Sequence, residues 1–506
     1  MNYPYLAAVM VYFECGLTRE ADSNHLKRRS TRTWRALATI FLLSASLGAN
    51  ESVAPRPNVL IVIADDLGVD RVQAYGHRNQ DNELVAPMTP NIDRLAKQGV
   101  LFRNAWAAPS CSPARAMALT GLYPNRTGVG RFISLRKPLV TGLRSDLVCL
   151  PSCLPEEYVS AAVGKWHLAT PQAKGGMGDI VGHATRCGFD FFSGTVGNFG
   201  SQKQTYYNYS WARVARTAPE KWRTEALKNT YATTYTTDTA LKTIREFGEQ
   251  PWLLWVAYHA PHKPYHTPPG ELVRSKGLDP STKLGKGKAI IEALDTEIGR
   301  LLAGVEPEVM ANTIVVFFGD NGTQKDLVEP PFDPTKAKST VYNGGVHIPL
   351  IVAGGVLPET SRGRECHALV DLTDLFPTVA ELLGAPIPTG LDGRSFMGSL
   401  RDPQTPSARE WVYSERFTPN FVPKDGERIT RFSLNEHHQT VRGKQYKLVR
   451  LREFEAGALK QEVIELYNIE SDLHETQDLL DSEGQPPAGA RKEYEALLEI
   501  AQQLAK

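Results

Sequence analysis

The sequence predicts an α/β fold: a large, mostly parallel central sheet flanked by helices, with a small C-terminal subdomain containing a short antiparallel sheet and a helix. Three observations carry this reading. Four apolar, largely β-branched runs each lead into polar or charged residues, the pattern of strands buried on both faces of a parallel sheet. Amphipathic helical stretches lie between them, and strands that alternate with helices build a parallel sheet whose ligands sit beyond the carboxyl ends of the strands. After Gly393 the chain changes to proline-rich linkers and short strand-like segments.

In chain order, Lys27, Arg28, Arg29, Arg32 and Arg35 precede an apolar stretch from Ala36 to Leu47, the length of a signal-peptide core and short of the ~20 residues of a spanning helix. Small residues Ser46, Gly48 and Ala49 follow, where a peptidase can cut. Residues 1–50 therefore read as a leader, and the protein is expected to be exported: periplasmic or extracellular, or secretory and lysosomal in a eukaryote. The first strand, Asn58 to Ala64, ends in Asp65-Asp66. Thr89 is expected to cap a helix with Pro90 at its first position, Ile92, Leu95 and Ala96 on one face and Gly99 as its stop. Tyr158 to Val163 leads to Gly164-Lys165-Trp166-His167, and Trp252 to Tyr258 leads to His259-Ala260-Pro261-His262. Lys283 to Lys288 reads as a Gly/Lys loop. Ile290, Ile291, Leu294, Ile298, Leu301 and Leu302 then form an apolar helical stripe. Thr313 to Phe318 leads to Gly319-Asp320-Asn321, and a helix from Leu375 to Leu383 closes at Gly384. A hairpin from Gln439 to Leu451 turns at Arg442-Gly443-Lys444, and a last helix runs from Arg491 to Leu504. The expected division is a catalytic domain over 55–395 and the C-terminal subdomain over 405–506.

At 506 residues, with 42% hydrophobic and 22% charged side chains, the chain can bury a sizeable core and is neither fibrous nor disordered. Its 57 basic and 56 acidic side chains leave a net charge of +1, so no global field draws it to nucleic acid or an anionic membrane. No nucleic-acid partner and no stable membrane span are expected. Six cysteines without a C-x-x-C pair exclude a zinc knuckle or a disulfide scaffold. Without Cys15, which lies in the leader, five remain. Cys149, Cys153, Cys187 and Cys366 allow up to two disulfides in three pairings.

The chemistry concentrates at the strand ends. Asp65-Asp66 alone reads more readily as a solvated turn than as a site. With Asp320-Asn321 at the same place on another strand, three carboxylates and an amide oxygen form a hard, oxygen-only set suited to Ca²⁺ or Mg²⁺. Buried together, the carboxylates would repel one another without a cation. In Cys111-Ser-Pro-Ala-Arg115, Ser112 is expected to cap a helix that Gly121 ends. Cys111 would then sit just outside a helix N-terminus, as a candidate nucleophile or as a buried structural cysteine.

These residues, with Leu119-Thr-Gly121, Gly164-Lys-Trp-His-Leu168, Pro261-His262, Asp320-Asn-Gly322, Lys338 ahead of Gly344-Gly345, Thr89 to Leu95 and Glu465 to Glu470, resemble the formylglycine-dependent sulfatases of the alkaline-phosphatase-like superfamily. The match runs in order from Asn58 to Leu480. The resemblance implies that a formylglycine-generating enzyme converts Cys111 to formylglycine (3-oxoalanine), whose hydrate offers two hydroxyls on one carbon: one accepts sulfate, the other expels it by C–O cleavage. It implies that Asp65, Asp66, Asp320, Asn321 and the modified Cys111 bind a divalent cation, Ca²⁺ in preference to Mg²⁺. Arg115 and Lys165 would hold the diol, His167 would take the proton that triggers release, and Lys338 with His262 would bind sulfate and assist the leaving group. On residue type alone the lysines also read as surface groups and the histidines as structural ones. His259 and His266 match no catalytic position and read as support or pocket wall, and Lys336 is the neighbour most easily confused with Lys338. Ala114, Asn343 and His347 depart from the family's usual serine, glutamate and arginine, with the Cys-x-Pro-x-Arg frame intact.

The function expected is removal of sulfate from an ester, with a sulfated carbohydrate favoured over an aryl sulfate. Trp211, Trp222, Tyr206, Tyr207 and Arg213 are the expected sugar contacts. The alternatives are a phosphonate or phosphodiester hydrolase on the same scaffold, and an inactive relative that binds sulfated glycans.

Overall fold

A computed structural model describes residues 56–134, 141–170, 176–200, 204–421 and 434–505. The expected leader and Cys15 lie outside them. Ten strands form one sheet in the order β10-β2-β9-β8-β1-β7-β3-β4-β5-β6. They are β1 (Asn58–Asp65), β2 (Gly99–Trp106), β3 (Val159–Lys165), β4 (Phe191–Thr195), β5 (Tyr209–Ala215), β6 (Ala218–Leu227), β7 (Trp252–Pro261), β8 (Thr313–Gly319), β9 (Leu350–Gly354) and β10 (Arg364–Asp371). The centre is parallel: β1 pairs with β7 and β8, β3 with β7 and β4, and β10 with β2. Antiparallel β9 joins β2 to β8, and the β5–β6 hairpin extends the far edge. Every residue of β1, β3, β7 and β8 is buried, which is why these strands read as unbroken apolar runs instead of alternating ones.

Five of the larger helices are α1 (Pro90–Gln98), α2 (Cys111–Thr120), α3 (Ala232–Phe247), α4 (Lys283–Ala303) and α5 (Leu375–Leu383). Two local expectations are corrected. Lys283 to Lys288 is no loop but the first turns of α4, because Thr282 accepts a hydrogen bond from Gly285 N and buried Gly285 and Gly287 let that end of the helix pack closely. Thr89 does not cap α1: its hydroxyl accepts from Gln73 N (3.0 Å) and donates to Asp93 Oδ1 (3.1 Å). The buried Asp295 carboxylate on α4 receives the α1 amides instead, at 3.0 Å from Asn91 and 2.8 Å from Ile92. It satisfies donors that a helix start leaves open.

The second sheet is antiparallel, β11 (Val412–Thr418), β12 (Glu436–Arg442), β13 (Tyr446–Glu455) and β14 (Ala458–Asn468), followed by α6 (Arg491–Leu504). Its apolar residues Tyr413, Val441, Leu448, Leu497 and Ala501 share a core cluster with Phe102, Leu119 and Phe376. Polar contacts tie it to the large sheet's loops. Asn125 N donates to Glu415 Oε1 (2.7 Å), Gly130 N and Arg131 N donate to Asn420 Oδ1 (3.1 and 3.0 Å), and Arg416 donates to the carbonyl of Ser339. Cys149, Cys153, Cys187 and Cys366 are free thiols.

Gly164 sits where β3 runs into its polar end. Its φ is +94°, and a Cβ there would lie 2.1 Å from the Ala257 carbonyl oxygen of β7. Gly164→Ala should therefore destabilise the protein by more than ~2 kcal/mol, since both strain and a backbone clash oppose it. The shift in urea midpoint measures this.

Candidate active site

Parallel register brings the polar strand ends together. Ala64 on β1 lies opposite Gly319 on β8, so Asp65-Asp66 and Asp320-Asn321 leave the sheet side by side. Asp66 turns back with φ +72°, and its N–H donates to Asp320 Oδ1 at 3.1 Å. On the other side of β1, Asp65 is level with Pro261 of β7, next to His262. Helix α2 points its N-terminus at the same spot. Cys111 is the first residue of that helix instead of lying outside it, Ser110 is the flanking residue, and Ser112 caps nothing. Its hydroxyl is taken up by tertiary partners, donating to His167 O (2.9 Å) and accepting from Ile133 N (3.0 Å).

Three carboxylates and three cations meet there. Asp65, Asp66, Asp320, Arg115 and Lys165 have fully buried side chains, and Lys338 nearly so. Each acid has its own base: Lys165 contacts Asp65, Lys338 contacts Asp66, and Arg115 lies 2.9 Å from Asp320 Oδ2 through Nε. Arg115 also donates to the Lys165 carbonyl (2.7 Å), linking α2 to the end of β3. Lys338 Nζ is 3.8 Å from Cys111 Sγ. Ligand atoms of Asp65, Cys111 and Asp320 fall within 4.8 Å of one another, as do those of Asp66, Cys111 and His262. Asp65 Oδ1 and Asn321 Oδ1 are buried without a hydrogen-bond partner among the described residues. Orphaned oxygens beside paired carboxylates fit a hard divalent cation, which takes oxygen ligands and offsets the cost of burying such atoms. The structure thus converges every site residue named from the sequence: Asp65, Asp66, Cys111, Arg115, Lys165, His167, His262, Asp320, Asn321 and Lys338.

The charge states follow from burial and these partners. Burial pushes the Asp66 carboxyl up, but Lys338, His262 and Lys165 outweigh it and hold the group below the usual carboxylate range. Asp320 goes the other way, to about 6, because burial and Asp65 exceed the help of Arg115 and Lys165. Burial raises the Cys111 thiol to about 11 despite both lysines, so an unmodified thiol here is a poor nucleophile at neutral pH. His167 is held well below its ordinary value by burial, Lys165 and Arg115. Its Nε2 donates to the Ile133 carbonyl (2.8 Å) while Nδ1 has no partner among the described residues. Burial takes His262 to about 3 despite Asp66; its Nδ1 donates to Lys263 O (2.5 Å), and Nε2 faces Asp66 Oδ2 at 3.7 Å.

Several sequence expectations change here. Trp211 and Tyr206 are core residues, unable to stack on a sugar: Trp211 donates to Ser193 Oγ (2.8 Å), and Tyr206 OH reaches the carbonyls of His259 and His262 (2.7 Å each). Trp222 and Tyr207 keep partial exposure. Arg213 pairs with Glu225 (2.8 Å). His259 lies behind the site, against Thr195 Oγ1 (2.6 Å) and stacked on Phe199. His266 stacks on Tyr206. Lys336 turns away to the Glu475 carbonyl, and Asn343 and His347 bond Leu473 O and Arg103 O. Gln324 was not anticipated. Its amide donates to Asp66 Oδ2 (2.6 Å), and its place three residues after Asn321 in the same loop was the available signal.

A family model described as Sulfatase matches residues 57–385, and one described as N-sulphoglucosamine sulphohydrolase, C-terminal, matches residues 335–499. The chain belongs to the sulfatase family. This sulfatase is a sulfuric ester hydrolase. It is 27% identical to the steryl-sulfatase of Mus musculus over 76% of this chain and 75% of that one. It is 29% identical to the N-acetylgalactosamine-6-sulfatase of Canis lupus familiaris, covering 72% and 70%. A sulfatase of Formosa agariphila is 27% identical over 87% of both chains. In fold it resembles Ps i-CgsB, solved in complex with k-i-k-neocarrahexaose, with TM-score 0.65, 23% identity and coverage of 89% and 92%. It also resembles the PsFucS1 sulfatase from Pseudoalteromonas sp., with TM-score 0.65, 21% identity and coverage of 89% and 91%.

Asp320 carries a pH signature in the sulfatase when no cation is bound. Folded, it keeps its proton up to about pH 6, whereas the unfolded carboxyl releases it near pH ~4. The folded state therefore binds more protons between these values, and this group's contribution to stability falls as pH rises from about 4 to about 6. The difference in urea midpoint between wild type and Asp320→Asn should decline across that window and level off above it.

Proposed function

We propose that this sulfatase removes sulfate from a sulfated carbohydrate, with formylglycine formed from Cys111 and a bound Ca²⁺ at the centre. The observation that carries the proposal is the convergence of Asp65, Asp66, Asp320 and the orphaned Asn321 oxygen on the N-terminus of α2 at Cys111. As formylglycine hydrate, position 111 would supply paired hydroxyls, and the cation would lower their pKa and neutralise sulfate oxygens. Asp65, Asp66, Asp320 and Asn321 would hold the cation. Export of the chain and maturation by a formylglycine-generating enzyme belong to the same proposal.

The protein's own groups divide the remaining work. Arg115 and Lys165, both fixed on carboxylates, orient the hydroxyls. His167 accepts a proton at Nδ1, since its Nε2–H is committed to Ile133. Lys338 is kept protonated by Asp66, which outweighs the lowering effect of burial, and serves as a cation for sulfate and its leaving oxygen. His262 presents an Nε2 lone pair while neutral. It becomes a donor when the negative charge of sulfate draws a proton to that atom. The sugar preference draws on the 29% identical N-acetylgalactosamine-6-sulfatases and no longer on the aromatic residues, two of which are buried.

Mass spectrometry of the Cys111 peptide, from a host that contains the maturing enzyme, should show replacement of H₂S by oxygen. Cys111→Ala should lose sulfate release by more than ~1,000-fold. An active enzyme with an intact thiol overturns the mechanism. Removing metal with a chelator should abolish activity and lower Tm, and Ca²⁺ should restore both. Sulfated monosaccharides should outpace aryl phosphodiesters; the reverse order favours the phosphodiester hydrolase.

A further inference from the structure

Ser112, Ile133 and His167 close a triangle of hydrogen bonds between three distant chain segments. Ser112 Oγ donates to the His167 carbonyl at 2.9 Å, Ile133 N donates to Ser112 Oγ at 3.0 Å, and His167 Nε2 donates to the Ile133 carbonyl at 2.8 Å. All three residues are almost completely buried. The corners belong to α2, to the loop after residue 128 and to the segment leaving β3. A serine at the second position of a helix usually turns its hydroxyl to solvent or to the helix's own amides; this one does neither.

We infer that Ser112 is a positioning residue for His167: its hydroxyl fixes which imidazole nitrogen faces the reacting group at position 111. This rests on the role given to His167 in the proposed function. A carbonyl oxygen can only accept, so the contact to Ile133 puts the hydrogen of the neutral ring on Nε2 and leaves the lone pair on Nδ1. Nδ1 is also the ring atom without a partner among the described residues. The orientation holds only if the Ile133 carbonyl stays aimed at Nε2, and Ser112 grips that same residue by its N–H. It also grips His167 by its C=O, while Val196 O accepts from His167 N at 3.3 Å. His167 adopts φ +62°, a left-handed conformation that a non-glycine residue keeps only when its surroundings hold it there. Those three grips are the surroundings. An alanine at 112 would leave the Ile133 N–H and the His167 carbonyl buried without partners, and both segments would shift to recover them. The ring could then turn or change tautomer.

The test compares Ser112→Ala, Ser112→Thr, Ser112→Val and His167→Gln with wild type. Each is assayed for kcat and KM on an aryl sulfate, with rates divided by the formylglycine content of the position-111 peptide. Ser112→Ala and Ser112→Val should lose roughly 10- to 100-fold in kcat, the scale of a misplaced general base, with KM within about threefold. Ser112→Thr, which keeps the hydroxyl, should recover most of the rate. Wild-type kcat in Ser112→Ala or Ser112→Val beside an inactive His167→Gln overturns the inference and leaves the reading of the site standing. Losses that vanish after division by formylglycine content also overturn it, because the hydroxyl would then serve maturation. A fully active His167→Gln enzyme overturns the role of His167, and the inference with it. Should Ser112→Ala fail to fold by its thermal melt, the Thr and Val variants, alike in shape and different in the hydroxyl, decide the matter.

Discussion

Charge compensation at the carboxyl end of the large sheet governs the rest of the structure. Three acids are brought together by strand register, where each would resist ionising beside the others. Each is matched by a base from a different segment: Lys165 from the end of β3, Arg115 from α2 and Lys338 from the loop before β9. Breaking a buried pair costs several kcal/mol, because it strands the remaining charge. The strands, the helix and the loop are thus held to a common point by electrostatics as well as by apolar packing. With three acids set against three bases, the formal charge of the centre is close to zero.

Much of this was legible in the sequence, for a physical reason. A parallel strand buried on both faces is an unbroken apolar run, so the first charged residue after it marks the active edge. Asp65, Lys165 and Asp320 were found that way, His262 came from the family resemblance, and Pro113 with Gly121 marked the helix. What escaped depends on tertiary contact. Nothing in the residues distinguishes the buried Trp211 from the partly exposed Trp222, since both carry the same aromatic body. Ser112 looked like a cap because local rules offer its hydroxyl no better partner, and the actual partners lie 21 and 55 residues away. The start of α4 escaped because glycine argues against helix until its packing against Leu327 and Asp279 is known.

The two histidines of the centre show how little residue type says about role. Burial holds both below the ordinary imidazole range, and each has one ring nitrogen on a backbone carbonyl. The nitrogen committed is Nε2 in His167 and Nδ1 in His262. One ring therefore offers Nδ1 to its surroundings and the other Nε2, and the second faces a carboxylate. Backbone carbonyls outside any motif set that difference.

Arg416 reaches from the antiparallel sheet to the backbone next to Lys338, while the acids stand at the strand ends of the large sheet. A change in the antiparallel sheet can thus be felt at Lys338 through the backbone of Ser339, without passing through the strands that hold the acids.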